Sequence, residues 1–369
     1  MSHAMADLAR ESHYVPQATL RRWSGDGVSV HAYRLLVSHP SVPEWELHGV
    51  RGLTRHRDLY TTFEGDREGD AFERFIGREV EDPGHAAIEK LVAKARMTPA
   101  DWHSIAKFVA AQQMRTPLFF IEWVKGLNAS IPATLQSVLD QVGRSRPTDV
   151  VADRRAAGPD YLQDGLRISV QAVQGDSTVA LVQAQFSSSR TAWLRFMRRM
   201  LTERSDLFKQ HRWRVMTLAD NAEWPLTDHP VLTLNYYGPG KYDFGAGWGR
   251  TGSDFILPVS PQLAVGTQVG SRVTGPWQAT SAQTAELQRI MVERALRWVI
   301  ARRPEPWIPA VRRRVVDAEA FATEQESWRT WHQIHLQSEA EFTEPRVTQA
   351  GRSEPQPSSA GPPTTRSGA

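Results

Sequence analysis

Val28-Ser29-Val30-His31-Ala32-Tyr33 alternates apolar and polar side chains, the period of a strand with one buried face. Asp58-Leu59-Tyr60-Thr61-Thr62-Phe63 carries the β-branched and aromatic content of a second strand. The period then lengthens. Ala71 to Val80 predicts a helix that stops before Asp82-Pro83-Gly84, and His85 to Met97 predicts another. Thr98-Pro99-Ala100-Asp101 reads as a helix start, with Thr as N-cap, Pro at the first position and an acid at the third. Trp102, Ile105, Val109 and Gln112 share one face of the helix that follows. Thr116-Pro117 repeats the start signal for a helix ending near Gly126, and Ile131 to Val142 predicts one more.

The second half reads differently. Ala192 to Phe208 predicts an amphipathic helix, and strands are predicted at 213–218, 231–234, 255–259 and 263–267. A glycine-rich loop runs from Gly238 to Gly252. Ala285 to Arg302 predicts a last helix, with Leu287, Ile290, Met291, Ala295 and Trp298 as its apolar stripe. This order predicts an α+β fold, a helix-rich first half packed on a mainly antiparallel sheet formed largely by the second half. Residues 1–12 read as a loose start, 13–340 as one globular domain, and 143–180 as a variable excursion within it. From 343 to 369 the chain turns to Pro, Ser, Thr and Gly, which cannot bury a core and predicts a disordered tail.

Composition narrows the possibilities. A hydrophobic fraction of 40% over 369 residues is enough for a sizeable core. No apolar run approaches the roughly 18–20 residues that cross a bilayer, and no signal peptide opens the chain. The expectation is a soluble, cytoplasmic protein with no membrane partner. The absence of cysteine excludes disulfides, thiol catalysis and cysteine-held zinc, so a divalent metal ion would rest on His, Asp and Glu. The pI of about 9.2 suggests a phosphate-rich partner. Against that, 41 acids nearly balance 44 bases for a net charge of +3, so the long-range field is weak and specific nucleic-acid binding is not supported.

Four constellations carry candidate chemistry. His13 and Tyr14, held by Pro16 shortly after, would present an imidazole and a phenol from a rigid turn. At about 100° per residue, Glu79 falls inside the apolar arc of Phe72, Phe75 and Ile76, with Glu73 at its edge. A carboxylate facing the core is costly unless paired, so Glu79 reads either as half of a buried ion pair or as a site acid. Gln112 and Arg115 continue an inward stripe, and Arg115 would pair with Glu79 or with an anionic ligand. Asp228 and His229 sit where one predicted strand ends and another begins, either displayed for function or with Asp228 capping a local turn. Gly238-Pro239-Gly240-Lys241 lacks the spacing of a phosphate-binding loop.

His13-Tyr14-Val15-Pro16-Gln17, followed by Leu20-Arg21-Arg22-Trp23, resembles the opening of a bacterial domain-of-unknown-function family whose members begin with a His-Tyr-Val-Pro motif. The resemblance extends through Leu59-Tyr60-Thr61, Glu73, Glu79, Gln112-x-x-Arg115-Thr116-Pro117, Thr227-Asp228-x-Pro230-Val231 and Leu257-Pro258-Val259-Ser260-Pro261. The chain departs from it at His229, where Asn often follows the Asp. The resemblance brings no activity with it, but it implies that the residues picked out by helix-face arguments belong to one polar site. Two function classes stay open. One is a metal- or phosphate-handling, nuclease-like hydrolase, with His13, Glu79 and Asp228 catalytic and Tyr14, Gln112 and Arg115 binding a small or phosphate-containing ligand. The other is a non-catalytic binding or interaction module whose polar cluster is structural.

Overall fold

The computed structural model describes residues 10–64, 67–144, 166–172, 180–186 and 189–343. Most of the expected loose start, most of the 143–180 excursion and nearly all of the expected tail lie outside them, while Glu11 and Ser12, expected loose, pair as strand. The first half holds β1 (Glu11–His13), β2 (Ser29–Arg34), β3 (Trp45–Gly49), β4 (Arg55–Arg57), α1 (Ala71–Ile76), α2 (Asp82–Val92), α3 (Pro99–Met114) and α4 (Pro117–Arg144). After α5 (Arg190–Thr202) come β5 (Arg214–Thr217), β6 (Leu226–Thr227), β7 (Leu232–Gly238), β8 (Lys241–Asp243), β9 (Ser253–Pro258), β10 (Ala264–Gln268) and β11 (Trp277–Gln278). The chain then forms α6 (Ser281–Arg294), β12 (Trp298–Ala301), α7 (Ala318–Arg329) and α8 (Trp331–Thr343).

The architecture is α+β, as the order of periods predicts. A six-stranded sheet, β8-β7-β9-β10-β5-β11, comes wholly from the second half and is antiparallel except where β5 meets β11. A four-stranded antiparallel sheet, β6-β12-β2-β3, joins the two halves. The main core gathers Trp23, Tyr60, Phe108, Trp193, Phe208 and Phe255, all fully buried, between the helices and the sheets. Thr98 and Asp101 form the reciprocal cap that starts α3, as their spacing predicts.

Four local expectations change. Of the 58–63 segment only Thr62 and Phe63 pair as strand, within Thr62–Glu64, and Asp58 turns into the left-handed region at φ 58°. Asp82-Pro83-Gly84 does not interrupt the first helices; a five-residue π-turn, Gly77–Glu81, joins α1 directly to α2, with Pro83 in the first turn of α2. The helix from Pro117 runs through Pro132 to Arg144 instead of ending near Gly126. Nearby hydroxyls take up helix carbonyls there, Ser130 bonding to the Leu127 oxygen and Thr134 to the Ser130 oxygen. The last helix stops at Arg294, and Trp298-Val299-Ile300-Ala301 becomes the strand β12 between β6 and β2. A short apolar run fits a helix stripe or a buried strand equally well, and pairing on both edges decides for the strand.

Candidate functional site

Arg115 closes α3 and is 1% exposed. Its guanidinium donates to Glu81, to the His13 carbonyl and, at 3.3 Å, to the Tyr60 hydroxyl. Tyr60 in turn donates to the Arg115 carbonyl at 2.7 Å. Burial opposes the charge on Arg115, but Glu81 and the other acids around it outweigh burial and raise its pKa above the ordinary value.

The partner expected for Arg115 was Glu79, and the structure corrects this. Glu79 is exposed, while Glu81 is half-buried against the guanidinium. The cause is the π-turn. Buried positions on this segment run Phe72, Ile76, Val80, Gly84 and Ile88, a spacing of four that a 3.6-residue period cannot hold without a widened turn. The wider turn rotates Glu79 out of the arc and brings Glu81 toward Arg115.

Around this ion pair lie polar atoms with incomplete bonding. Glu73 takes a hydrogen bond from Ser12, yet its Oε2 is buried with no partner among the described residues. Burial lifts the Glu73 carboxyl to about 7; Arg115 pulls it down, Glu81 pushes it up, and burial prevails. His85 lies 3.4 Å from Arg22 through Nδ1, its Nε2 is unpartnered, and burial followed by the Arg22 charge lowers its pKa to about 4. Arg22 Nη1 also lacks a partner among the described residues. Gln112 is 1% exposed, and neither of its amide atoms is bonded among the described residues. It lies one turn before Arg115 and one turn after Phe108, whose ring packs on His85 with centroids 4.9 Å apart. Ser12, Tyr60, Gln112 and Arg115 are buried, while Arg22, Glu73, Glu81 and His85 are half-buried.

Asp228 belongs to a second centre. It is 1% exposed, and its two oxygens accept the backbone amides of Leu296 and Arg297, each at 2.8 Å. The Asp228 amide donates to the Trp298 carbonyl at 3.2 Å, so this carboxylate pins the entry of β12 rather than capping its own turn. Burial raises its pKa against those bonds. His229 is buried beside it, bonded through Nδ1 to the Thr116 hydroxyl at 2.6 Å, and burial lowers its pKa to about 3.

The His13-Tyr14 segment threads between the two centres. The His13 carbonyl serves Arg115, while its half-exposed ring meets the Arg51 carbonyl at 3.2 Å and burial lowers its pKa. Tyr14 is buried, its hydroxyl hydrogen-bonded with Arg297 and its ring stacked on Trp328 at 6.3 Å. The five residues expected to form one cluster are therefore distributed. His13 reaches Arg115 through its backbone, Gln112 and Arg115 share a helix face, Asp228 lies across Tyr14, and Glu79 stands outside.

The family profile that matches this chain spans residues 12–305, which contain both centres. The chain belongs to the DUF4238 family, described as a protein of unknown function. No curated protein and no solved structure matches it. Within this DUF4238 chain no group of three His, Asp or Glu side chains among the described residues could hold a metal ion. No helix among them is long and apolar enough to cross a membrane. The reading of the sequence missed Glu81 and Arg297. The four-residue spacing of apolar positions before Pro83 is a signal that could have found Glu81; Arg297 has no comparable local signal.

Proposed function

We propose that this DUF4238 member is a binding module that takes a small polar, anion-bearing molecule at the buried Gln112 amide, with the Arg115–Glu81 and Asp228 centres acting as cement. One observation carries the reading. Gln112 is fully buried with neither amide atom bonded among the described residues, and three further buried polar atoms, on Glu73, Arg22 and His85, also lack a partner among them. An unsatisfied buried polar group costs about 1–3 kcal/mol, so a ligand that satisfied several at once would offset a cost already built into the fold. Arg22, His85 and the Gln112 amide supply donors to an oxyanion, and Glu73 supplies a group that changes charge near neutrality. By contrast, the bonds of Arg115 and Asp228 run to the protein's own backbone, Tyr60 and Glu81, which suits a structural role.

A hydrolytic reading has its own support in Glu73. A carboxyl poised at about 7 has the proton affinity of a general acid or base. Among the described residues the donors here are Arg and amide groups, and no three His, Asp or Glu side chains converge.

Native mass spectrometry of the full-length chain tests the binding reading. A small molecule retained by the wild type and lost from Gln112→Leu supports it. Identical spectra for the two, with Gln112→Leu more stable than wild type, would mean that Gln112 is a packing defect and would sink the proposal. Turnover of p-nitrophenyl phosphate that vanishes in Glu73→Gln would favour the hydrolytic reading instead.

A further inference from the structure

The C-terminal helices return to the family-matched part of the chain and place an acid on two of its arginines. Arg34, at the end of β2, is 8% exposed, and register pairs it with Trp298 at the start of β12. Arg297 precedes that strand. Both guanidiniums face Glu324 of α7: Arg34 donates to Oε1, and Arg297 Nε lies 3.1 Å from Oε2. Aromatic rings wall the pair. Arg34 lies 4.7 Å from the Trp298 ring centre and 5.6 Å from that of Phe321, and Arg297 lies 3.8 Å over Trp328.

The geometry points to an oxyanion-binding clamp formed by Arg34 and Arg297, which Glu324 occupies from within the chain. Two guanidiniums converging on the two oxygens of one carboxylate is the arrangement that binds phosphate and carboxylate groups. Their low exposure keeps water from screening the attraction, and the aromatic faces hold the planar groups in place. Tyr14 and Asp228 set the clamp from behind, the first through its hydroxyl on Arg297 and the second through the Arg297 amide.

Glu324 has the features of a replaceable occupant. No residue of α7 is fully buried, and the helix is attached through one half-buried stripe, Phe321, Glu324 and Trp328, of which Trp328 packs on the main core. Both arginines lie inside the matched segment 12–305, whereas Glu324 lies beyond it. The chain thus carries the clamp's two cations in the family-matched part, and the counter-charge, with the Phe321 and Trp328 rings, on a surface helix. An oxyanion with more than one negative charge would compete with a single carboxylate for two cations. The shared chemistry is an oxyanion on a small molecule, either phosphoryl or carboxylate.

Calorimetric titration of the full-length chain with pyrophosphate and, in parallel, with succinate tests the clamp. Glu324→Gln removes the resident charge and should bind one of these anions at least about tenfold tighter than wild type, a difference of ~1.4 kcal/mol. Tighter pyrophosphate assigns a phosphoryl ligand, and tighter succinate a carboxylate. Adding Arg34→Gln to that variant should abolish the gain. No gain in Glu324→Gln, or a gain that survives Arg34→Gln, would overturn the clamp. If Glu324→Gln lowers the melting temperature, the preferred anion should restore it in the single variant and not in the double, and failure to restore it also overturns the proposal. The gain of Glu324→Gln should persist when both chains also carry Gln112→Leu, whatever that change does to anion binding at the Gln112 site, so the clamp and the Gln112 site stand or fall separately.

Discussion

The Arg115 guanidinium closes on Glu81, and Glu79, two residues earlier, stands in solvent. Removing one partner of a buried pair strands a charge, which typically costs about 3–5 kcal/mol. Arg115→Ala should therefore lower the unfolding free energy by about that much in urea titration. Arg115→Met combined with Glu81→Leu should recover part of the loss, while Glu79→Ala should change stability by no more than about 0.5 kcal/mol. A large effect at Glu79 with a small one at Glu81 would contradict the π-turn register.

Gly84 is the point where α2 meets α3. A Cβ there would come within 2.7 Å of the Phe108 side chain. Gly84→Ala should destabilise by about 1–3 kcal/mol through overpacking, and Phe108→Leu in the same chain should relieve some of it. Thermal melts of the two single variants and the pair would read the coupling, and strictly additive losses would show that the two sites do not meet.

Asp228 accepts two half-buried amides more than sixty residues along the chain. Asp228→Asn keeps one acceptor and turns a donor toward the other amide, so it should cost about 1–3 kcal/mol. Asp228→Ala loses both acceptors and should cost more. Hydrogen exchange at the Leu296 and Arg297 amides should speed up in both variants; unchanged exchange would show that the carboxylate does not hold that strand entry.

Burial gives two opposite pH dependences. Glu73 is raised from 4.5 to about 7, so the folded state holds its proton more tightly than the unfolded chain does. Its contribution favours folding below pH 4.5 and is lost as pH rises through 7. Glu73→Gln should therefore gain melting temperature relative to wild type at pH 8, with the difference shrinking toward pH 4.5. His229 and His335 are lowered to about 3, and His56 and His85 to about 4, so each stays neutral when folded. Their contribution is full above the ordinary value of 6.5 and falls as the unfolded chain takes up protons below it. A melting profile from pH 8 to 4.5 should show His229→Gln losing less stability than wild type below pH 6.5; parallel curves would mean that His229 is not held neutral.

The sequence by itself determined what depends on local period and local chemistry. Thr98 and Asp101 announce their reciprocal cap within four residues, alternation marks β2 and β5, and short apolar runs mark β7, β9 and β10, whose successive residues are buried. Gln112 and Arg115 turn inward because they continue the stripe of Ile105 and Val109. Tertiary structure decided the partners. An ideal helical wheel selects Glu79, and the π-turn ahead of Gly84, which packs against Phe108, slips the phase to Glu81. Trp298 to Ala301 is apolar enough for either element, and two neighbouring strands settle it. Asp228 meets amides of a distant segment, and Glu324 meets Arg34 and Arg297 from a helix near the other end of the chain. Period is written residue by residue, whereas the choice of a charge's partner is made by chain closure over distances that no local pattern records.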